Sequence, residues 1–284
     1  MLKQRVITAI ILFSLLVWGI LTLSSEMVAV ALAFFITIGA WEWTRMMELK
    51  NGILRITYVF CIILCLGAGW WMLLQMQGLY YLTIICAVIG WIFALYAVKT
   101  YPKNTALYSN KLVKSVIGIL LLVPTWMALV GLHISPTYGP YFLVYLILLT
   151  SVADTGAYFG GKRWGKNKLA PELSPGKTWE GVGSALVATT LFSILSAVIL
   201  DVGSGHLAAI IAFIFISMIV VAFSIIGDLI ESLFKRLVKL KDSGTILPGH
   251  GGILDRIDSM TAAAPVFVVG LWLFLDFELG ANIL

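Results

Sequence analysis

Nine apolar segments, each long enough to cross a lipid bilayer, constrain this chain more than any other feature. Crossing about 30 Å of hydrocarbon takes about 20 helical residues, and about 17 can suffice. Hydrophobic residues make up 61% of the chain and charged residues only 12%, whereas an ordinary soluble domain has roughly 25% charged residues. The segments run approximately from Val6 to Leu23, Met27 to Trp43, Ile56 to Leu74, Leu79 to Val98, Ser115 to Leu132, Tyr141 to Gly160, Val182 to Leu200, Leu207 to Ile226 and Met260 to Phe277.

These segments predict an all-α integral membrane protein with about nine transmembrane helices. We expect a single polytopic membrane domain over residues 1–284, because no polar segment is long enough to form a separate soluble domain. Within it, N-terminal spans occupy residues 1–140 and a catalytic part occupies residues 141–284. We expect the first segment to remain as an anchor, since a second apolar segment follows it where a cleaved signal peptide would have a polar mature start.

Lysine and arginine residues predict the orientation. With a cytoplasmic N-terminus and nine crossings, all 19 Lys and Arg residues lie on the cytoplasmic side, as the positive-inside rule requires. Outer connections such as residues 75–78 and 133–140 carry none. The C-terminus then lies outside. Topology therefore accounts for the net charge of +5, and we expect no nucleic-acid partner.

The first of two unusually polar inner loops covers residues 153–181. Asp154 lies within an apolar segment, where an ionisable group needs a polar cavity or a charged partner; pairing with a lysine for helix packing is the alternative. The run from Ser174 to Thr178 resembles the end of a P-loop, but Pro171 stands where that motif needs glycine, so we reject a P-loop. The turn still presents Lys177 and backbone N–H groups at a helix N-terminus, which suits phosphate binding; a simple surface charge is the alternative.

Two acidic pairs lie in the second polar loop, residues 227–259. Asp228 and Glu231 are three residues apart and share a helical face, and Asp255 and Asp258 repeat this spacing at the start of the last segment. Such pairs can converge on Mg²⁺, which takes one or two carboxylates and keeps its other positions for water and phosphate oxygens. Stabilisation of a helix N-terminus is the alternative for the second pair.

A glycine-rich turn at residues 248–252 separates the two acidic pairs. Its glycines allow the backbone to approach a ligand closely, and His250 can hydrogen-bond a phosphate, donate a proton or merely stabilise the loop. Basic residues surround the turn: Lys235, Arg236, Lys239, Lys241 and Arg256. Some of them are expected to serve lipid headgroups, Lys239 first. Carboxylates for Mg²⁺, cations for phosphate and a flexible turn favour phosphoryl or nucleotidyl transfer.

A specific pattern spans 27 residues of this loop and the helix before it. It reads Ser232-x-Phe234-Lys235-Arg236, four residues, Lys241-Asp242-x-Gly244, then Leu247-Pro248-x-His250-Gly251-Gly252-x-x-Asp255-Arg256-x-Asp258. The pattern resembles the signature of the phosphatidate cytidylyltransferases, the CDP-diacylglycerol synthases, and departs from it at no fixed position. The run at residues 174–181 and the multi-span layout with Asp154 are also similar to bacterial members.

The resemblance implies transfer of a cytidylyl group from CTP to phosphatidic acid, with Mg²⁺. Because both polar loops are predicted to be cytoplasmic, we expect the site at the cytoplasmic face of a bacterial inner membrane. We assign the catalytic role to Asp228, Asp255, Lys241 and His250. Substrate binding is assigned to Ser174, Lys177, Arg236, Asp242, Gly249, Gly251, Gly252 and Arg256. The predicted metal ligands are Asp228 and Asp255, with Asp258 and Asp154 as second choices.

Two other functions stay open at this point. A CTP-dependent polyprenol or dolichol kinase has a similar membrane layout but transfers the γ-phosphate to an alcohol. A cation transporter could use Asp154 and Asp228, although the third to fifth segments lack the midplane charges that such a protein needs. The Gly156-x-x-x-Gly160 pattern predicts close helix packing rather than chemistry, and small-residue helix faces of this kind leave room for a homodimer.

Overall fold

Long helices form most of the protein. The computed structural model describes residues 2–136, 138–202, 206–246 and 251–275, with side chains from residue 11 onward. The elements are α1 Leu2–Thr22, α2 Ser25–Met46, α3 Gly52–Gln75, α4 Gln77–Thr100, α5 Ala106–Ser109, α6 Lys111–Ile134, α7 Gly139–Trp164, β1 Lys168–Ala170, β2 Ser174–Thr178, α8 Trp179–Ile199, α9 Leu207–Leu237 and α10 Leu254–Leu275.

Eight helices, α2 to α4 and α6 to α10, are long and apolar enough to cross a membrane. They confirm eight of the nine predicted spans and the all-α class. Helix α1 has 21 residues, but its side chains are described only from Ile11 onward, so its crossing stays a prediction. Helices α6 and α10 are the most buried of the spans and form the centre of the bundle.

Helix α9 is longer than its apolar segment predicts. It continues beyond Ile226 to Leu237 because Leu229, Ile230, Leu233 and Phe234 are all buried, which continues an apolar stripe along one face of the helix. Helix α10 likewise begins at Leu254, ahead of the predicted Met260. Both acidic pairs therefore lie on helices, which confirms the expected helical spacing.

A small hairpin, not expected from the sequence, interrupts the helices between α7 and α8. Strands β1 and β2 pair antiparallel, with Lys168 opposite Thr178 and Ala170 opposite Ser174. The Thr178 hydroxyl then caps α8 by accepting a hydrogen bond from Gly181 N at 3.1 Å. The residues predicted to form a phosphate-binding turn thus belong to strand β2.

Helices α7 and α8 pack closely through small residues. A Cβ atom at Gly160 would collide with the Ser184 side chain, and one at Gly156 would lie 3.0 Å from Ala188 Cβ. This confirms the packing role predicted for the Gly156-x-x-x-Gly160 pattern. The close approach holds the hairpin at the end of α7 against the start of α8.

The two predicted polar loops meet at one end of the bundle, where Arg236 donates a hydrogen bond to Leu173 O. At this end Lys114 Nζ of α6 lies 3.3 Å from Glu48 Oε2, just beyond α2. At the opposite end, His133 lies 3.0 Å from Ser25 Oγ and 2.8 Å from Ile20 O, joining α6 to α1 and α2. We call the first end the polar end.

Candidate active site

A cavity of about 300 Å³ opens at the polar end, between α7, β2, α8 and α9. Its polar lining includes Asp154, Ser174, Lys177 and Asp228, and small or apolar residues such as Ala157 form other parts of its walls. Four residues that the sequence assigns to metal or substrate binding therefore lie around one space. Their convergence brings the two polar loops, far apart in the chain, into a single site.

Lys177 and Asp228 form an ion pair within this cavity. Lys177 Nζ lies 2.6 Å from Asp228 Oδ2, and each side chain keeps about a quarter of its surface exposed, 25% and 29%. Asp228 Oδ1 also accepts a hydrogen bond from Ser232 Oγ at 3.3 Å, one helical turn further along α9. Asp154 interacts electrostatically with both members of the pair. One cation thus lies among carboxylates in a space that is open to small solutes.

Lys235 neutralises two carboxylates beneath the second polar loop. Its Nζ atom lies 2.8 Å from Glu231 Oε2 and 2.6 Å from Asp255 Oδ1. Lys235 is 9% exposed and Glu231 4% exposed, so this cation is held inside the protein. The sequence placed Lys235 among the basic residues around the glycine turn, and the structure gives it a carboxylate partner on each side.

Asp255 organises the chain around it through both carboxylate oxygens. While Oδ1 faces Lys235, Oδ2 accepts hydrogen bonds from Ser243 N, Ser243 Oγ and Gly252 N at 2.8–2.9 Å. Gly251 has a φ of +81°, a conformation that favours glycine. These contacts support the structural alternative for Asp255, and its predicted metal role stays a prediction.

Helix α9 approaches α10 closely where the two acidic pairs meet. A Cβ atom at Gly227 would lie 2.5 Å from Asp258 O, so glycine is needed here for the two backbones to approach. The Asp258 carboxylate interacts electrostatically with Asp228 and Lys235, while its Oδ1 accepts a hydrogen bond from Ser259 N at 2.6 Å. The neighbouring Glu231 is buried and interacts with the Asp258 carboxyl group.

These carboxylate oxygens are the candidate ligands for the predicted Mg²⁺. Among the side chains that the structure describes, no group of three or more His, Cys, Asp and Glu is arranged to hold a metal ion. Mg²⁺, however, is commonly bound through one or two carboxylates plus water and substrate phosphates. Asp228, which lines the cavity, and Asp258, which interacts electrostatically with Asp228, are carboxylates of that kind. The residues therefore fit Mg²⁺, with Asp228 as the first candidate ligand.

The other predicted site residues lie around the second loop. Arg236 donates hydrogen bonds to Leu173 O and Leu240 O, each at 3.3 Å, and so ties the hairpin to the end of α9. Lys241, Asp242 and Arg256 are exposed. Gly249 and His250 lie outside the described residues.

Glu42 on α2 is a site residue that the sequence analysis missed. It is 1% exposed and accepts hydrogen bonds from Ile253 N, Leu254 N and Ser243 Oγ. The available signal was a lone carboxylate in the last two turns of an apolar segment, which needs partners as Asp154 does. It was overlooked because the N-terminal spans carry no part of the signature.

The fold and the site together define a polytopic membrane protein with a cavity of paired charges at one end of its helical bundle. The chain belongs to the cytidylyltransferase family, whose model matches residues 3–274.

Bacterial relatives match almost the whole chain. A phosphatidate cytidylyltransferase of Pseudomonas aeruginosa is 38% identical over 272 residues, covering 96% of this chain and 97% of the relative. One of Haemophilus influenzae is 37% identical over 287 residues, covering 94% and 97%. One of Bacillus subtilis is 34% identical over 186 residues, covering 64% and 68%.

Proposed function

We propose that this protein is a phosphatidate cytidylyltransferase, which makes CDP-diacylglycerol and pyrophosphate from CTP and phosphatidic acid for phospholipid biosynthesis. The observation that carries the proposal is the family match over residues 3–274, together with relatives of that name aligned over more than nine-tenths of the chain. The cavity supports it, because a lysine that can meet a phosphate and carboxylates that can hold Mg²⁺ line the same space.

In the proposed reaction, a phosphate oxygen of phosphatidic acid attacks the α-phosphorus of CTP in line with the bond to the β-phosphate. A new P–O bond forms, the α–β bridge breaks and pyrophosphate leaves. The second pKa of a phosphate monoester is about 6, so the lipid phosphate is largely ionised at neutral pH and needs no strong base. The protein must instead hold two anions in line and stabilise charge that moves to pyrophosphate.

Lys177 is the residue best placed to meet a phosphate, because its ammonium group lines the cavity and remains partly exposed. Asp228 and Asp258 would hold Mg²⁺. Asp154 would face the ion from across the cavity, and Asp255 would act indirectly, through the network around Lys235. Bound Mg²⁺ would neutralise charge on the phosphates of CTP. Arg236, Lys241 and Arg256 supply further positive charge, and the glycine turn with His250 is proposed to contact a phosphate.

The site is proposed to face the cytoplasm of a bacterial inner membrane. Every Lys and Arg lies on that side if nine spans cross, and CTP is cytoplasmic. Small and apolar residues such as Ala153, Ala157 and Val182 form part of the cavity wall, so the acyl chains of phosphatidic acid can remain near lipid while its phosphate enters the cavity.

The test is CMP transfer from labelled CTP to phosphatidic acid in detergent, with lipid product and pyrophosphate both identified. The proposed reaction yields CDP-diacylglycerol and pyrophosphate in equal amounts and stops when a chelator removes Mg²⁺. Release of CDP with a phosphorylated polyprenol would favour the kinase. Ion flux in liposomes without CTP turnover would favour a transporter.

A homodimer stays a prediction. The small-residue pattern that suggested it, Gly156 with Gly160, packs against α8 within the same chain, so it does not provide a second-copy interface.

A further inference from the structure

Glu42 is a lone acid on an apolar helix, and it is buried so deeply that it needs hydrogen-bond partners. It is 1% exposed, and burying a carboxylate is costly unless hydrogen bonds satisfy it. Its oxygens accept from three donors: Ile253 N at 3.2 Å, Leu254 N at 2.8 Å and Ser243 Oγ at 3.1 Å. All three donors belong to the second polar loop or to the start of α10.

The contact to α10 is a helix cap supplied by another helix. The first backbone N–H groups of a helix have no partners within it, and the positive end of the helix dipole favours an anion. Glu42 satisfies the N–H groups of Ile253 and Leu254 at this end of α10. The position of the first turn of α10, which carries Asp255 and is followed by Asp258, thus depends on a side chain of α2.

Ser243 links Glu42 to Asp255. Its hydroxyl lies 3.1 Å from Glu42 Oε2 and 2.9 Å from Asp255 Oδ2; one hydrogen can serve only one of them at a time. Arg45, three residues after Glu42 on α2, donates to Ser243 O at 2.7 Å. Helix α2 therefore holds this residue through both its hydroxyl and its carbonyl group.

Two glycines make room for the Glu42 carboxylate. A Cβ atom at Gly244 or at Gly252 would collide with it. Both positions belong to the loop that carries Lys241 and Asp242. The loop is thus shaped around an acid from the N-terminal half of the chain.

We propose that Glu42 is a positioning residue for cytidylyl transfer, which holds Ser243 and the start of α10 so that Asp255 keeps its place beside Lys235 and Asp258 its place near Asp228. The inference rests on the proposed function and extends the site to a helix outside the signature. Glu42 acts through these residues and does not itself contact the substrates.

The test compares Glu42→Gln with Glu42→Asp. Glutamine keeps the volume but presents an NH₂ group to at least one donor, whereas aspartate keeps the charge and leaves a small cavity. We expect Glu42→Gln to lower kcat by about 10- to 100-fold, as loss of an outer-shell partner typically does, with little change in KM for phosphatidic acid. Glu42→Asp should recover part of kcat. A role in packing alone predicts the reverse order.

A matched control is Glu26→Gln, the same change on α2 about 24 Å away, which should keep wild-type kcat. Ser243→Ala, which removes the hydroxyl link between Glu42 and Asp255, should also lower kcat. If Glu42→Gln does not fold, the kcat of Ser243→Ala tests the positioning role instead. Wild-type kcat in folded Glu42→Gln, or in Ser243→Ala, would overturn the inference, as would glutamine outperforming aspartate. A wild-type protein with no CMP transfer would reject the proposed function, and this inference with it.

Discussion

Lys177 and Asp228 are 51 residues apart in the chain, and their charged groups lie 2.6 Å from each other. The contact joins strand β2 to helix α9 across the cavity. Ion pairs that are partly exposed contribute little to stability, at most about 1 kcal/mol. The pair therefore matters for function more than for stability, because it holds a cation and a carboxylate where substrate phosphates and Mg²⁺ are proposed to bind.

The first prediction concerns this pair. Lys177→Met and Asp228→Asn should each lower kcat/KM for CTP by about 100-fold, because fixed groups that stabilise transferred charge are worth roughly that much. The measurement is initial-rate CMP transfer in detergent at varied CTP. Lys168→Met, which removes an exposed lysine from the neighbouring strand β1, should leave kcat/KM within about twofold, a typical surface substitution.

The double variant separates a catalytic pair from a structural one. If the two residues only neutralise each other, Lys177→Met with Asp228→Asn should recover much of the activity, since neither charge is left unpaired. If each serves the reaction, the double variant should be no more active than either single variant. Recovery to near wild-type rates would contradict the roles assigned here.

Much of this site is visible in the sequence because its residues lie within contiguous polar loops. Asp154, Lys177 and Asp228 stand out as charges next to apolar spans, and helical spacing indicates which acids share a face. The ion pair itself could not be predicted, since it depends on how α7 and α8 set the hairpin against α9. Glu42 was missed for a related reason: its partners are 201 to 212 residues away, and only the packed bundle brings them together.

The second prediction concerns Lys235, which forms ion pairs with two carboxylates, buried Glu231 and partly buried Asp255. Lys235→Met removes the positive charge and leaves both acids without it. Breaking a buried ion pair in this way typically costs about 3–5 kcal/mol. We expect a marked fall in the temperature at which the detergent-solubilised protein unfolds, followed by intrinsic tryptophan fluorescence.

Lys235→Arg is the matched variant, because it keeps the charge while changing the geometry. It should unfold at a temperature between those of Lys235→Met and the wild-type protein. If Lys235→Met unfolds at the wild-type temperature, the buried network does not depend on this cation.

The third prediction tests the packing of α7 against α8. Gly160→Ala would place a methyl group against the Ser184 side chain, forcing the helices apart and shifting the hairpin that carries Lys177. Gly183→Ala is the control, since a Cβ atom there meets no described atom within 4 Å and alanine favours the helix. We expect Gly160→Ala to lower both thermal stability and CMP transfer, and Gly183→Ala to preserve both. Equal behaviour of the two variants would contradict the packing role.

The sequence predicts those parts of the fold that the lipid bilayer determines, namely the membrane-spanning helices. A segment of about 20 apolar residues must be helical in a bilayer, since no water satisfies its backbone, and eight such segments proved to be long helices. The ends of the helices were not accessible in the same way. Helix α9 runs on to Leu237 because protein contacts, rather than lipid, bury Leu233 and Phe234, and the hairpin is stabilised by Glu180, which accepts hydrogen bonds from Lys166 N and Asn167 N.

The fourth prediction tests the orientation. In a variant with Cys61, Cys65 and Cys86 replaced by alanine, single cysteines are introduced at Thr245, in the second polar loop, or at Met76, between α3 and α4. Both native side chains are exposed. With the polar end in the cytoplasm, a membrane-impermeant maleimide should label Met76→Cys in intact spheroplasts, whereas Thr245→Cys should react only after lysis.

The outcome also tests the set of helices that cross between the two cysteines. Met76 is reached after three crossings when α1 spans the membrane and after two when it does not, while the distribution of Lys and Arg predicts that the later polar loops lie on the cytoplasmic side. Five helices that can cross a membrane, α4, α6, α7, α8 and α9, lie between the two cysteines. Because five is odd, the two cysteines are expected on opposite sides whether or not α1 crosses. If both cysteines are labelled from the same side, the set of membrane-crossing helices is wrong. If Thr245→Cys alone is labelled in intact spheroplasts, the orientation is the reverse of the predicted one, and the cavity lies on the side away from cytoplasmic CTP.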